Sequence, residues 1–149
     1  MIGLAGLALL ALVLAVWDFR LRARQDLAAD MLAAARLGAV ALTTIDYENV
    51  DADVQRILDS STGTFRDDFE KRAAAFGDAT RKAQSKSVGT VTEAAVQSID
   101  GSHGQILVAL TVMTSNHGVP DRQPRGWRTV VGVARTDSGM KITGMEFVP

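Results

Sequence analysis

The chain has 149 residues, no cysteine and a formal net charge of −1 at neutral pH. The length fits a single domain. The lack of cysteine excludes a disulfide framework, a thiolate zinc site and a cysteine nucleophile. Because positive and negative charges nearly cancel, the composition gives no electrostatic argument for a nucleic-acid partner.

The N-terminal stretch, residues 1–17, reads MIGLAGLALLALVLAVW and contains no charged side chain. As a helix it spans about 26 Å, which is at the short end of what crosses a hydrocarbon core of about 30 Å. Trp17 then lies where an interfacial aromatic residue belongs, and Arg20, Arg22 and Arg24 lie at headgroup level as an interfacial anchor. We therefore predict a transmembrane anchor over residues 1–21 and a single-pass protein of the plasma (inner) membrane, with the lipid bilayer as a partner.

Two other interpretations of this stretch are a cleaved signal peptide and a buried core helix. A signal peptide needs a basic region before its apolar run and a site of small residues after it. No lysine or arginine precedes Arg20, and Ala15-Val16-Trp17 is a poor cleavage site. A core helix is unusual at the N-terminus beside so sharp a polar boundary, so the anchor is the favoured interpretation.

The predicted anchor is rich in small side chains, which allow helices in a membrane to pack closely. These residues predict a face that binds a partner helix, such as that of a permease: Gly3, Gly6, Ala8, Ala11 and Ala15. Alanine is common in any apolar span, so a merely compositional origin of this face stays open.

After the anchor, the sequence predicts an α+β domain over residues 22–149, with helices in 22–85. The first helix continues from the anchor to Thr43 or Thr44. The apolar residues of this helix recur every three or four positions and so form one face: Leu27, Met31, Ala34, Gly38, Ala41 and Ile45. We expect this face to pack on the domain's own sheet, with a partner helix as the alternative. A second, short helix has Asp51 as its N-cap. A third helix follows a turn at 60–63.

Residues 87–149 predict a four-stranded curved antiparallel sheet, with strands near 88–99, 106–116, 127–136 and 140–148. The second of these strands is apolar on both faces, which indicates a central strand with cover on both sides, or a face that lines a cavity or meets a partner. In the last strand the apolar phase shifts, which predicts a bulge at Gly144. Helices followed by an antiparallel meander give helices on one side of the sheet.

The sequence contains no nucleotide-binding, zinc-protease or serine-hydrolase motif, so we predict no enzyme, no cofactor and no metal. His103 and His117 fall in predicted loops, where a carboxylate such as Asp121 would have to complete a zinc site. The cluster at 46–48 offers an acid–base pair in Asp46 and Tyr47. Such residues are also ordinary helix terminators, and we favour that interpretation.

Basic residues surround the loop that holds the internal prolines. Arg122, Arg125 and Arg128 are candidates for binding a phosphate or an anionic headgroup, but a solvated loop explains them without any ligand, and we favour that interpretation. Trp127 opens a predicted strand, where a core or edge position is more common than a stacking platform.

Several segments resemble the actinobacterial Mce-associated membrane protein family, and the resemblance covers nearly the whole chain. The most specific segment is 61–69, with the sequence STGTFRDDF. The others are 35–44 followed by Tyr47, then 51–58 with the sequence DADVQRIL, and the ending 145–149 with the sequence MEFVP.

This resemblance implies a non-catalytic accessory subunit of an Mce-type lipid-import ABC transport complex, which would bind the permease or the Mce subunits through its transmembrane helix, its domain or both. It also implies an NTF2-like or VirB8-like fold on the extracytoplasmic side. Arg20, Arg22 and Arg24 oppose that orientation, because basic residues favour the cytoplasmic side. The alternatives are a membrane-tethered NTF2-like lipid-binding protein or enzyme, and a VirB8-like secretion assembly factor.

Overall fold

In a computed structural model the backbone is described for residues 2–118 and 123–148, and the side chains of residues 2–6 and 8 lie outside the description. The chain forms three helices and one antiparallel sheet, which confirms the predicted α+β class. The elements in chain order are α1 (Ile2–Thr43), β1 (Ile45–Asp46), α2 (Val50–Ser60), α3 (Gly63–Ala83), β2 (Lys86–Asp100), β3 (His103–Ser115), β4 (Pro124–Thr136) and β5 (Gly139–Val148).

The prediction of four strands was wrong, since the sheet has five strands in the order β1-β2-β3-β4-β5. The additional strand is β1, whose two residues pair with the start of β2 at Ser87 and Lys86. A pair this short has no alternation of apolar and polar residues, which is the pattern that reveals a strand in a sequence.

The first compact unit of the structure is Met1–Asp30, the N-terminal part of α1. Among the residues whose side chains are described, no helix is long and apolar enough to cross a membrane. The continuous run of described apolar side chains goes from Leu9 to Trp17, about 13 Å of helix, and Asp18 then pairs with Arg22 at 2.8 Å. A span needs roughly 20 such residues. The predicted transmembrane anchor over 1–21 and the single-pass plasma-membrane localisation were therefore wrong.

The second compact unit, Met31–Pro149, contains the sheet and its helical layer. The end of α1 packs on the sheet, and Met31, Ala35 and Ala39 are fully buried there. A Cβ at Gly38 would lie 2.5 Å from the side chain of Ile142 in β5. The expectation that the apolar stripe of this helix packs on the domain's own sheet is thus confirmed within this unit.

In the sheet, β3 lies between β2 and β4, which confirms the predicted central strand. The bulge predicted at Gly144 is also confirmed, because the pairing shifts between Gly132, opposite Gly144, and Val133, opposite Ile142. Two further shifts lie in β2. Bulges of this kind blunt a long edge strand against pairing with other chains.

The helical layer closes over a small apolar cluster made by Ile45, Val50 and Ile57, with Phe69 and Phe76 packed against it. The N-cap of α2 is Asn49, so the prediction of Asp51 was wrong. Both residue types cap helices, and pattern alone does not choose between two candidates two positions apart.

Candidate functional site

The acidic cluster after α1 joins β1 to its neighbours. The Asp46 carboxylate accepts hydrogen bonds from Lys86 Nζ at 2.5 Å and from the backbone N–H of Glu48 at 3.1 Å. The hydrogen bond from Lys86, followed by that from Glu48, lowers the pKa of Asp46. The Asp46 N–H in turn donates to the buried Asp53 at 2.7 Å. A carboxylate held ionised in this way does not serve as a general acid, and these contacts support the helix-terminator interpretation.

The two histidines lie at opposite ends of β3. His103 begins the strand, so its predicted loop position was wrong, whereas His117 follows the strand and its Nδ1 lies 2.8 Å from Gln84 Oε1. A strand of this length separates them by roughly 40 Å, so they cannot share one ion. Asp121 lies outside the described residues, and within the described residues no three potential ligands cluster to hold a metal.

Of the three arginines proposed as an anion site, the two that the structure describes do not converge. Arg122 lies outside the described residues, and Arg125 and Arg128 belong to β4 and not to the preceding loop. Arg125 is opposite Val112, whereas Arg128 is opposite Ala109. Val112 and Ala109 are an odd number of positions apart on β3, so the two arginines project from opposite faces of the sheet.

The predicted sites on α1 are described only in part. Ala11, Ala15 and Trp17 are exposed, whereas the side chains of Gly3, Gly6 and Ala8 lie outside the description. The partner-binding face of this helix therefore stays a prediction. Of the predicted interfacial anchor, Trp17, Arg20 and Arg24 line a hollow of about 230 Å³ together with Leu21.

The sheet has one face that packs on the helices and one that does not. Ile106 and Val108 are buried on the helix side, where a Cβ at Gly104 would meet Met31 of α1. Leu107, between them in sequence, projects from the other face and is 42% exposed. We call this second surface the open face; from the strand register its side chains on β2–β5 include Glu93, Ala95, Leu107, Ala109, Arg128, Val130, Glu146 and Val148.

A shallow apolar hollow of about 240 Å³ lies on the open face. Leu107, Ala109 and Val148 line it, and Glu93 and Arg128 are its charged lining residues. Within the described part of the chain neither charge makes an ion pair or side-chain hydrogen bond. The sequence indicated this feature in outline, since the second apolar face of the 106–116 strand predicted a cavity or a partner.

A second hollow, of about 570 Å³, shares Ala109, Arg128 and Val148 with the first. The rings of Trp127 and Phe147 form one of its walls, with their centroids 4.7 Å apart. Trp127 is 39% exposed, so its ring is partly covered by Phe147 and partly open to solvent. The residues described around this hollow include no pair of a nucleophile and a base.

The segment 61–69, which carries the most specific part of the sequence resemblance, has a structural role. The N–H of Thr62 donates to the carbonyl of Ile142 in β5 at 2.9 Å. Gly63 begins α3 with a φ of +62°, a conformation that glycine adopts without strain. Arg66 Nε then donates to the carbonyl of Leu58 at 3.2 Å, near the C-terminal end of α2. These hydrogen bonds connect the segment between α2 and α3 to β5, and α3 to α2.

The sequence profile described as "Uncharacterized protein Rv1363c/MT1408-like" matches residues 2–149. The uncharacterized protein Rv1363c of Mycobacterium tuberculosis (strain ATCC 25618 / H37Rv) is 38% identical over 126 residues, which are 85% of this chain and 48% of that protein. The chain thus spans about half the length of this relative.

Solved structures with the same fold include secretion proteins. An IcmL-like type IV secretion system protein from Legionella pneumophila aligns with a TM-score of 0.65 at 17% identity, covering 81% of this chain and 91% of that one. CagV, a VirB8 homolog of the type IV secretion system of Helicobacter pylori, aligns with a TM-score of 0.62 at 6% identity, covering 80% and 97%. At these identities the likeness shows the fold alone, and it confirms the expected VirB8-like architecture.

Proposed function

We propose, from the premise that the chain belongs to the Rv1363c/MT1408-like family, that it is a non-catalytic accessory subunit which binds other proteins of a multi-subunit complex. The open face carries this proposal. It is a largely apolar sheet surface with exposed or half-exposed side chains, and apolar surface of this kind on a folded domain marks an interaction site.

The placement of the polar groups supports a role without catalysis. The Asp46 carboxylate is engaged by Lys86, and Asp53 is engaged by Arg56 at 2.5 Å. On the open face, Glu93 and Arg128 stand on strands separated by β3, with Cα atoms roughly 10 Å apart. A nucleophile and its base need to be within hydrogen-bond distance of each other. Glu93 and Arg128 are too far apart for that, and the surface between them is apolar.

The partner that we propose is an Mce-type lipid-import complex. The support is the sequence resemblance in 61–69, 51–58 and 145–149, which extends beyond the general fold to particular turn and cap residues. In this proposal the chain contributes binding surface, and the lipid itself is handled by the permease and the Mce subunits.

A second candidate is an assembly factor of a secretion machine. The VirB8-like fold favours it, since CagV and the IcmL-like protein are named as components of type IV secretion systems. This support is weaker, because a shared fold at 6–17% identity hosts unrelated functions.

Affinity purification of the tagged chain from its own cells, extracted in mild detergent, tests the proposal. The expected result is enrichment of Mce or permease subunits over an untagged control. Enrichment of secretion-system subunits would replace the first candidate by the second. Recovery of the chain without any other protein would overturn the proposal of an accessory subunit.

Site variants test the absence of catalysis. Asp46→Asn, Tyr47→Phe and a double replacement of His103 and His117 by Gln should leave lipid uptake nearly intact at matched protein levels. The reason is that no described group near these residues forms a reactive arrangement. Complete loss of uptake in any of them, at normal abundance, would indicate a catalytic or ligand site.

A further inference from the structure

The charges on the open face are arranged in a row across three strands. Glu93 in β2 is opposite Ala109 in β3, and Ala109 is opposite Arg128 in β4. Residues paired in this way project from the same face of a sheet. A negative and a positive residue thus stand on either side of the central strand, with Cα atoms roughly 10 Å apart.

Between these charges, the central strand presents a narrow surface that we call the β3 stripe. Its side chains stand at every second position and are mostly apolar: Leu107, Ala109, Thr111 and Met113. Leu107 is 42% exposed and Met113 is 38% exposed. The stripe is about 20 Å long between these two residues. Leu107 and Ala109 also line the hollow of about 240 Å³, which an apolar side chain of a partner can enter.

We propose that the open face binds one amphipathic α-helix of another protein of the complex, with the axis of that helix along β3 over Ala109. The apolar a and d positions of the helix lie on the β3 stripe. Its flanking e and g positions lie over β2 and β4, where a basic residue meets Glu93 and an acidic residue meets Arg128. This inference rests on the proposed function, because it names the part of a partner that the open face takes.

A helix suits this surface, whereas an extended segment does not. The backbone of β3 is already paired with β2 on one side and with β4 on the other. An extended segment on the face would therefore keep its own N–H and C=O groups unpaired over an apolar stripe, at a cost in free energy. A helix satisfies these groups within itself, and its diameter of about 10 Å matches the separation of Glu93 and Arg128.

The stripe also has the dimensions of a helix and not those of a whole domain surface. It is roughly 10 Å wide between the two charges and about 20 Å long, which gives about 200 Å² of flat area. Each partner of a standard interface between folded proteins buries roughly 800 Å². A helix of about four turns is about 20 Å long, so one helix covers the stripe from end to end.

The charge pattern selects among possible partner helices. Reversing the direction of a helix on the stripe exchanges its e and g sides. A helix with opposite charges on these two sides therefore fits in one of the two directions. A helix with the same charge on both sides meets a like charge at Glu93 or at Arg128 in either direction, which weakens the contact. Glu146, a further carboxylate of the open face, lies on β5, one strand beyond β4 and outside the width of the helix.

Site-specific photo-cross-linking of the full chain in its own cells tests this mode of binding. The photoreactive amino acid p-benzoylphenylalanine replaces Leu107 in one variant and Met113 in another, because these exposed side chains mark the two ends of the stripe. The same amino acid at Glu70, an exposed position of α3, is the control. Mass spectrometry identifies the partner residue that each variant captures. Far-UV circular dichroism and the melting temperature verify that each variant is folded.

The variants at Leu107 and Met113 should capture one segment of one partner protein, and the variant at Glu70 should not capture it. The two captured residues should lie about 13 positions apart, because 20 Å corresponds to about 13 residues of helix. An extended segment would place them about six positions apart. The captured segment should have apolar residues at helical spacing and opposite charges on its two flanks.

Charge reversal tests the two flanks of the contact. Glu93→Lys or Arg128→Glu should lower the cross-linking yield about fivefold, because each turns an attractive pair into a repulsive one. Glu70→Lys, the same change away from the open face, should have no effect. Reversing the basic residue of the captured segment should restore the yield with Glu93→Lys.

Four outcomes would overturn the proposal. The first is a spacing of about six positions, which would show an extended partner. The second is a captured peptide that belongs to this chain, which would show a second copy on the face. The third is capture at Leu107 and Met113 that does not exceed capture at Glu70. The fourth is a yield that is insensitive to both charge reversals.

The helix contact and the accessory role fail in different ways. If other subunits still co-purify with the chain while the cross-linking fails, the accessory role stands and the helix contact is refuted. If the cross-linking succeeds on a protein outside the Mce and permease subunits, and none of those subunits co-purifies, the proposed Mce complex is refuted and the helix contact stands.

Discussion

The contact between α1 and β5 at Gly38 makes a sharp prediction about stability. A Cβ at this position would lie 2.5 Å from both Cδ1 and Cγ1 of Ile142. Ile142 is only 1% exposed, so its side chain has no free space into which to turn. Gly38→Ala should gain about 1 kcal/mol of helix propensity and lose about 1–3 kcal/mol to overpacking. The expected net effect is destabilisation by about 1 kcal/mol.

The sign of this effect should depend on Ile142. Ile142→Ala alone removes a buried side chain and should destabilise the domain by about 2–5 kcal/mol. In that background the added methyl at residue 38 meets no obstacle, so Gly38→Ala should stabilise the domain by up to about 1 kcal/mol. Urea unfolding of the four proteins, followed by far-UV circular dichroism, measures this double-mutant cycle.

Gly77 supplies the matched control, because it also lies inside a helix. A Cβ there would meet only the end of the flexible Arg81 side chain at 3.3 Å and a methyl of Val50 at 3.9 Å. Gly77→Ala should therefore stabilise the domain by about 0.5–1 kcal/mol. If Gly38→Ala stabilised the wild-type protein as much as Gly77→Ala does, the packing of α1 on β5 would be refuted.

Three further variants test the turns and the acidic cluster. Gly63→Ala should lower the free energy of unfolding by about 1–2 kcal/mol, because alanine is strained in the left-handed region; urea titration against Gly63→Asn, which should be milder, checks the cause. Asp46→Asn should lower the melting temperature at pH 7, with a difference that shrinks at pH 3. The lowered pKa of Asp46 means that its stabilisation is present above about 3.8 and is lost as the pH falls through the folded-state pKa. Arg66→Ala should destabilise by about 1 kcal/mol through the lost bond to Leu58, and Arg66→Lys should restore part of it in the same titration.

The features of the fold that the sequence predicted correctly are those that leave a periodic pattern of apolar residues within one helix or strand. Met31, Gly38, Ala41 and Ile45 recur at helical spacing, and all four are buried. The central position of β3 followed from its two apolar faces. Each of these features is encoded within one element, so no knowledge of distant partners was needed.

Features that depend on pairing between distant residues could not be predicted in this way. β1 exists because Ile45 meets Ser87, far along the chain. The row of Glu93, Ala109 and Arg128 depends on the shift of register in β2 just before Glu93. A shift of one residue moves a side chain to the opposite face of a sheet, so spacing in the sequence alone does not place Glu93 beside Arg128.

The central proposal is that this chain binds the subunits of an Mce-type lipid-import complex, and reciprocal purification tests it most directly. A tagged Mce-complex permease is purified in mild detergent from cells that carry the chain at its natural level. The account predicts that this chain is recovered in fixed proportion to the permease and is absent from a purification through an unrelated tagged permease. Equal recovery from both, or recovery from neither, would contradict it.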